Sequence, residues 1–356
     1  MSTVEPRVSA PRSMKPKILL PLLFLIVVPS LLFSLRFLSS PGGDSAWIAS
    51  LVERPLYFFI RAPLVVALHK TIWLGLRGWG WTPADCIALS SSVAGGVFLW
   101  GLFRFSRDPR IWAVVLLSKF SLIFLGHVET YAWPYALAMW VFVGLKEFGE
   151  GEPRSTLRIW LLLTLAAYLH PLTLMLWPGA LWGLWPLGRK DLERFLGTLL
   201  AATFLLILLL LFGKTGGFPQ AVWILPLFDV GETLARYPLF SWVHWSELLR
   251  FHLTTLPLGL FLLIFYGCRE WRGWERALLA SAGITLLWSL VWHPGMGMAD
   301  WDLFAWPALS VNLAGAYAWS RAGKKETAPA ENPEAPDGND VTKANSGVDE
   351  GRLGSR

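Results

Sequence analysis

The feature that most constrains this chain is the recurrence of apolar runs close to the ~20 residues a helix needs to cross a hydrocarbon core. They follow one another between residues 18 and 320, joined mostly by short polar connections. Inside lipid every backbone N–H and C=O must find its partner within the segment, and runs of this kind meet that demand as helices. Composition agrees: 54% of residues are hydrophobic and 16% are charged, against roughly a quarter charged in a soluble domain. The expected fold is all-α, a polytopic membrane helix bundle.

Ten segments read as spans: 18–38, 84–103, 111–126, 130–146, 156–170, 172–187, 195–213, 249–267, 275–292 and 302–320. An eleventh stretch, 62–78, places His69, Lys70 and Arg77 on one arc of a helical projection. Leu64, Val65, Leu68, Ile72 and Leu76 fall on the opposite arc, the pattern of a helix lying in the interface. With 62–78 left uncrossed and the N-terminus cytoplasmic, the cytoplasmic connections are "FRFSRDPR", "KEFGEGEPRSTLR", "GRKDLER", "CREWRGWER" and "SRAGKK". Each carries Lys or Arg, as the positive-inside rule requires. A crossing at 62–78 would move every later loop to the wrong side.

The expected organisation is one membrane domain over 1–320, with a first outer loop at 39–83 and a second long outer loop at 214–248. The run 18–38 exceeds the ~7–15-residue core of a cleaved signal peptide and reads as a retained anchor. Residues 321–356 are rich in Ala, Pro, Glu, Asp, Asn and Gly, too polar to bury a core, and read as a disordered cytoplasmic tail. Both termini then lie in the cytoplasm and the inner (plasma) membrane is the expected location. The pI of 9.4 belongs to the loop charges; no basic face suits nucleic acid. Cys86 and Cys268 fall at opposite faces and form no disulfide framework.

This topology sends all six histidines, His69, His127, His170, His244, His252 and His293, to the outer face or the outer ends of spans. Asp44, behind the glycines of "SSPGGDSAW", is placed either as a general base in an outward cavity or as the N-cap of the helix that follows. Arg54, Arg61 and Lys70 suit either the phosphate of a lipid-linked substrate or anionic lipid headgroups. In "GHVETYAWPY", His127, Glu129 and Tyr131 occupy a tight outer turn. Lys119, some eight residues earlier, sits within a span, where an ionisable group marks either a functional cavity or a structural ion pair.

His170, before Pro171, reads as a helix-end cap. "HPGMGMADWDLFAWP" gathers His293, Asp300, Trp301 and Asp302. The two acids either cap the last span or hold a divalent metal with His293, although the spacing matches no recognised metal motif. Trp301 is placed to stack on a sugar or a prenyl chain, while most of the 22 tryptophans read as interface belt. No P-loop, dinucleotide fingerprint or nucleophile elbow occurs.

The order of these features resembles the GT-C superfamily of integral-membrane glycosyltransferases, which includes protein O-mannosyltransferases and the bacterial aminoarabinose and lipopolysaccharide-core sugar transferases. The resemblance covers about 1–320: a first span followed by an acid in "GGDSAW", a long outer loop with an interfacial helix opening on "RAPLVVALHK", then short paired spans and late outer loops. "GHVETY" and "ADWDLFA" are similar to stretches of bacterial members. A paired first-loop acid and a large C-terminal soluble domain, both common in the family, are not in this sequence.

The resemblance implies a sugar donor carried on polyprenyl phosphate, a lipid, glycan or protein acceptor, and Asp44 as catalytic base. Arg61, Lys70 and Arg236 would then meet the phosphate charge. His69, His127, Glu129, Tyr131, His293, Asp300, Trp301 and Asp302 would line the substrate site. Two other classes compete: a transporter or flippase coupled through Lys119 and Glu129, and a non-catalytic scaffold.

Overall fold

A computed structural model describes residues 15–39, 44–54, 62–152, 155–185, 192–193, 195–201, 203–204, 238–267, 270–292 and 301–327. Among the described residues the protein is all-helical. Helix α1, Lys15–Leu22, runs through a π-helical segment, Leu23–Val27, into α2, Val28–Ser34. Pro29 has no N–H to complete the normal ladder. The backbone widens just ahead of it, and the Val28 N–H reaches Leu23 O.

Helices α3 (Ser45–Glu53) and α4 (Pro63–Leu76) pack on each other and on α5 (Pro83–Phe105). A capping box starts α5: Thr82 accepts from the Asp85 N–H, the Asp85 carboxylate answers the Thr82 N–H, and Pro83 opens the first turn. Then follow α6 (Pro109–Leu116), α7 (Ala132–Gly149), α8 (Ser155–Leu169), α9 (Leu176–Gly183), α10 (Trp242–Thr255), α11 (Pro257–Tyr266), α12 (Glu275–Val291), the short α13 (Trp301–Phe304) and α14 (Trp306–Thr327). The first helix pair meets α5 at Gly95 and Gly96. A Cβ on Gly96 would run into Phe24 O and Pro29, so the backbones touch there.

The expected spans 84–103, 130–146, 156–170 and 275–292 correspond to α5, α7, α8 and α12. Others are interrupted. The 111–126 segment breaks after Leu116 and resumes as a 3-10 helix, Lys119–Phe124, which turns Phe120, Ile123 and Phe124 inward. The 172–187 segment is a 3-10 helix, Pro171–Met175, followed by α9. The 249–267 segment bends by 91° between α10 and α11. Pro257 supplies the cause, since it lacks an N–H and forces Leu256 out of the helical region, to φ −145° and ψ 38°.

The last helix starts at Trp306 rather than 302 and runs on through 321–327, residues whose composition reads as tail. Among the described residues α5 alone is long and apolar enough to cross a bilayer, or two elements if the bent α10–α11 pair counts as one. Of the expected tryptophan belt, Trp79, Trp182, Trp185, Trp242 and Trp245 are exposed, but Trp160, Trp177, Trp274, Trp288 and Trp306 are buried.

The bundle has two chemically distinct ends. At one, Glu147 accepts from Arg104 at 2.8 Å and from Arg158. Nearby, Arg321 of α14 pairs with Glu275 at the start of α12 at 2.6 Å, and Tyr317 donates to the same carboxylate at 3.0 Å. Asp108 accepts from Arg110 and from Ser320, and the Arg110 bonds hold its carboxyl down at about 2. The connections "FRFSRDPR", "KEFGEGEPRSTLR", "CREWRGWER" and "SRAGKK" all contribute described residues to this end. The opposite end carries the turn after Phe124, the start of α14 and the candidate site.

Candidate functional site

The site begins with a turn that only glycine can make here. Gly126 sits at φ +70°, and a Cβ added there would lie 2.7 Å from Arg36 Cβ and 3.4 Å from Ala88 Cβ. This packs the turn 125–131 into the angle between the end of the first helix pair and α5. Ser91 of α5 donates to His127 O at 2.8 Å and fixes the turn from below. On its other side, Val128 packs with Ile48, Val52 and Ile87, which seats α3 beside the turn.

Asp302 is delivered from the far end of the chain. Phe304, two residues on, stacks on Phe251 of α10 at 4.5 Å and 9° and also meets Trp288 of α12. Trp306 meets Tyr135 of α7 at 4.7 Å. These rings clamp α13 so that Asp302 faces the turn. Its Oδ1 accepts the Leu303 N–H at 2.9 Å, while Oδ2 lies 3.1 Å from His127 Nε2. The Tyr135 hydroxyl donates to Asp302 O at 3.4 Å.

His127 is held from both sides, because Ser39 Oγ lies 3.0 Å from its Nδ1. Of the two tautomers, the one with Nε2–H donates to the Asp302 carboxylate and leaves Nδ1 to accept from the Ser39 hydroxyl. Glu129 closes the group: one ligating atom from each of His127, Glu129 and Asp302 lies within 4.8 Å of the others, and all three residues are buried. Trp301 lies across the imidazole at 5.3 Å, and the Lys119 ammonium sits 4.3 Å from the centroid of the same indole. The arrangement offers two buried carboxylates, an imidazole, a nearby ammonium and an aromatic face. It can orient polyols, relay a proton through the imidazole, or ligate a cation.

Of the residues expected from the sequence, His127, Glu129, Trp301, Asp302 and Lys119 therefore meet. Lys119 does so because the chain breaks after Leu116. Tyr131 sits beside the group with its ring 5.1 Å from that of His170, and His170 Nδ1 accepts from the Leu172 N–H, the helix-end role its position suggests. Asp44 stands at the N-cap of α3 and its backbone carbonyl accepts from Ile48 at 2.8 Å, but its side chain does not cap that helix.

Lys70 donates to Arg54 O and so closes the C-terminus of α3, where a cation suits the free carbonyls. Arg54 itself is exposed. His69 does not share a polar arc with Lys70. It is 1% exposed beside Val65 and Val66, its Nδ1 has no partner, and burial pushes its pKa down to about 3. A neutral histidine costs less to bury than a lysine, which explains why α4 turns this face inward.

Arg61, Arg236, His293 and Asp300 lie outside the described residues. Sequence reasoning passed over Ser39, Ser91 and Tyr135. The only signal for Tyr135 was its place one helical turn after Tyr131, and serines at helix ends are too common to single out. Arg36, an exposed cation over Phe33 beside Gly126, was passed over as well. No family model and no curated protein sequence matches the chain.

Proposed function

We propose that the chain is a multi-pass membrane glycosyltransferase of GT-C type that moves a sugar from a polyprenyl-phosphate donor to a lipid, glycan or protein acceptor. The convergence of His127, Glu129, Trp301 and Asp302 near Lys119 carries the reading. Carboxylates and an imidazole suit sugar hydroxyls, an indole suits a sugar face, and an ammonium suits a phosphate. Bilayer residence draws on the exposed apolar side chains that line the helices, among them Leu157, Leu161, Leu165, Leu249, Leu253, Phe261, Ile264 and Phe265. A surface that apolar is the ordinary outside of a membrane bundle and an aggregation hazard in water. The end bearing the Arg–Glu pairs would face the cytoplasm and the His127–Asp302 end the outer side.

In this mechanism Asp44 takes the proton of an acceptor hydroxyl. The acceptor oxygen bonds to the anomeric carbon as the carbon–oxygen bond to the phosphate breaks, and polyprenyl phosphate departs. Lys119, with Arg61 and Arg236, offsets the charge on the leaving phosphate. Glu129, Asp302, His293 and Asp300 orient the sugar or the acceptor.

The test is transfer of radiolabelled sugar from a polyprenyl-phosphate donor in membranes holding the wild type, Asp44→Asn or Asp302→Asn. Both variants should lose transfer while remaining inserted; near-normal transfer by Asp44→Asn removes the base from the mechanism. In a background without Cys86 and Cys268, an impermeant thiol reagent applied outside should label a cysteine at Ser45 and spare one at Ser106. The reverse pattern ends the outward assignment. A transporter reading draws on the 91° break between α10 and α11, since broken helices build many carrier sites. Uptake of a lipid-linked sugar into proteoliposomes without transfer would favour it.

A further inference from the structure

We propose that His127, Glu129 and Asp302 form a binding site for a divalent transition-metal ion of the Zn2+ or Mn2+ class. The donor set is one imidazole nitrogen and two carboxylate oxygens, all within 4.8 Å of one another and all from buried residues. Ions of this class hold such donors at roughly 2.0–2.2 Å, which leaves neighbouring ligand atoms some 3–4 Å apart. The 3.1 Å between His127 Nε2 and Asp302 Oδ2 fits that spacing. Two carboxylates drawn this close in a buried site repel, and a dication between them converts the repulsion into attraction.

A second observation suits a metal-ligating histidine. Metal-binding imidazoles are oriented by a hydrogen bond at the ring nitrogen that does not touch the ion. Ser39 Oγ stands 3.0 Å from Nδ1 and is itself buried. When Nε2 gives up its proton to bind the ion, Nδ1 becomes the protonated nitrogen. The Ser39 hydroxyl can turn from donor to acceptor without moving its oxygen. Three protein donors leave a coordination position open, as in sites that also bind a substrate or water.

The donor set links the ion to substrate. A divalent ion held by His127, Glu129 and Asp302 beside Lys119 would present positive charge to the phosphate of a sugar–phosphate–lipid diester. This consequence rests on the sugar-transfer reading; the metal site itself rests only on the side-chain geometry.

The full-length protein, purified in detergent without chelators and loaded with Zn2+ or Mn2+, should retain about one ion per chain by elemental analysis after desalting. Co2+ should produce ligand-field bands in the visible that added Zn2+ abolishes. Asp302→Asn and His127→Gln should lose both signals. Ser39→Ala, which removes no ligand, should weaken affinity about 10–100-fold.

If the wild type retains no Zn2+, Mn2+ or Co2+ above buffer background, or if Asp302→Asn retains as much ion as wild type, the site is overturned. If Asp302→Asn does not fold, wild-type stoichiometry and the Ser39→Ala affinity still decide. Elemental analysis is blind to sugar transfer, so loss of the metal proposal and loss of the transferase proposal are separate results.

Discussion

Gly126→Ala should injure this protein more than an equivalent change at another left-handed glycine. Gly126 has φ +70° and Gly151 has φ +94°, so alanine at either position carries the left-handed penalty of about 1–2 kcal/mol. Nothing lies within 4 Å of a Cβ built on Gly151, whereas one on Gly126 meets Arg36 Cβ at 2.7 Å and Ala88 Cβ at 3.4 Å. Both obstructing atoms are Cβ carbons fixed by their own backbones, so no rotamer change relieves the clash. Either the turn or the end of the first helix pair must shift, at a further cost of about 1–3 kcal/mol. At roughly 2 °C per kcal/mol for a long chain, Gly126→Ala should melt about 2–6 °C below Gly151→Ala. Intrinsic tryptophan fluorescence during heating in one detergent at one protein concentration reads the difference. A shift of the turn would also move His127 relative to Asp302, so on the transferase reading the melting gap should come with loss of sugar transfer in Gly126→Ala alone. Equal melting shifts would refute the argument that Arg36 and Ala88 confine the turn.

His69 is held near a pKa of about 3, against 6.5 when exposed. Between those values the unfolded chain binds a proton that the folded chain does not, so stability should fall as pH drops from 6.5 toward 3. His69→Leu should flatten that part of the pH–melting curve and raise stability at its acid end; an unchanged slope would show that His69 is not the group responsible. Truncation after Thr327 should leave melting unchanged, while truncation after Ser320 removes the Arg321–Glu275 pair and should lower it. Equal melting of the two truncations would show that the pair contributes nothing.

The long uninterrupted helices were legible because length, apolar content and local chemistry agree. Thr82-Pro83 with Asp85 announces the start of α5, and the apolar run beyond it has no internal breaker strong enough to end it. The interruptions were less legible. Pro257 reads as a break once its effect on Leu256 is considered, but the break at Leu117–Ser118 has no local marker. It follows from burial of Phe120, Ile123 and Phe124 and from the attraction between Lys119 and the Trp301–Asp302 segment, contacts made far away in sequence. In the same way, the residue types of the site could be read at helix ends, but the pairing of Ser39 with His127 and of His127 with Asp302 could not. Those pairs join positions 88 and 175 residues apart. The inward turn of His69 defeated the helical projection because hydrophobic arcs treat histidine as polar, whereas neutral imidazole can be buried at modest cost.

Helix α14 has a mechanical consequence. Its 22 residues, at about 1.5 Å each, make a strut roughly 33 Å long. Its first residue, Trp306, follows the short α13 that carries Asp302, and toward its other end Arg321 pairs with Glu275. Midway, Gly315 and Asn312 lie against Gly259 so closely that neither glycine has room for a Cβ. A strut seated this tightly neither bends nor slides freely, so an axial displacement of α14 would first have to break the backbone contact at Gly259 and Gly315, which anchors the end beside α13 against motion at the Arg321 end.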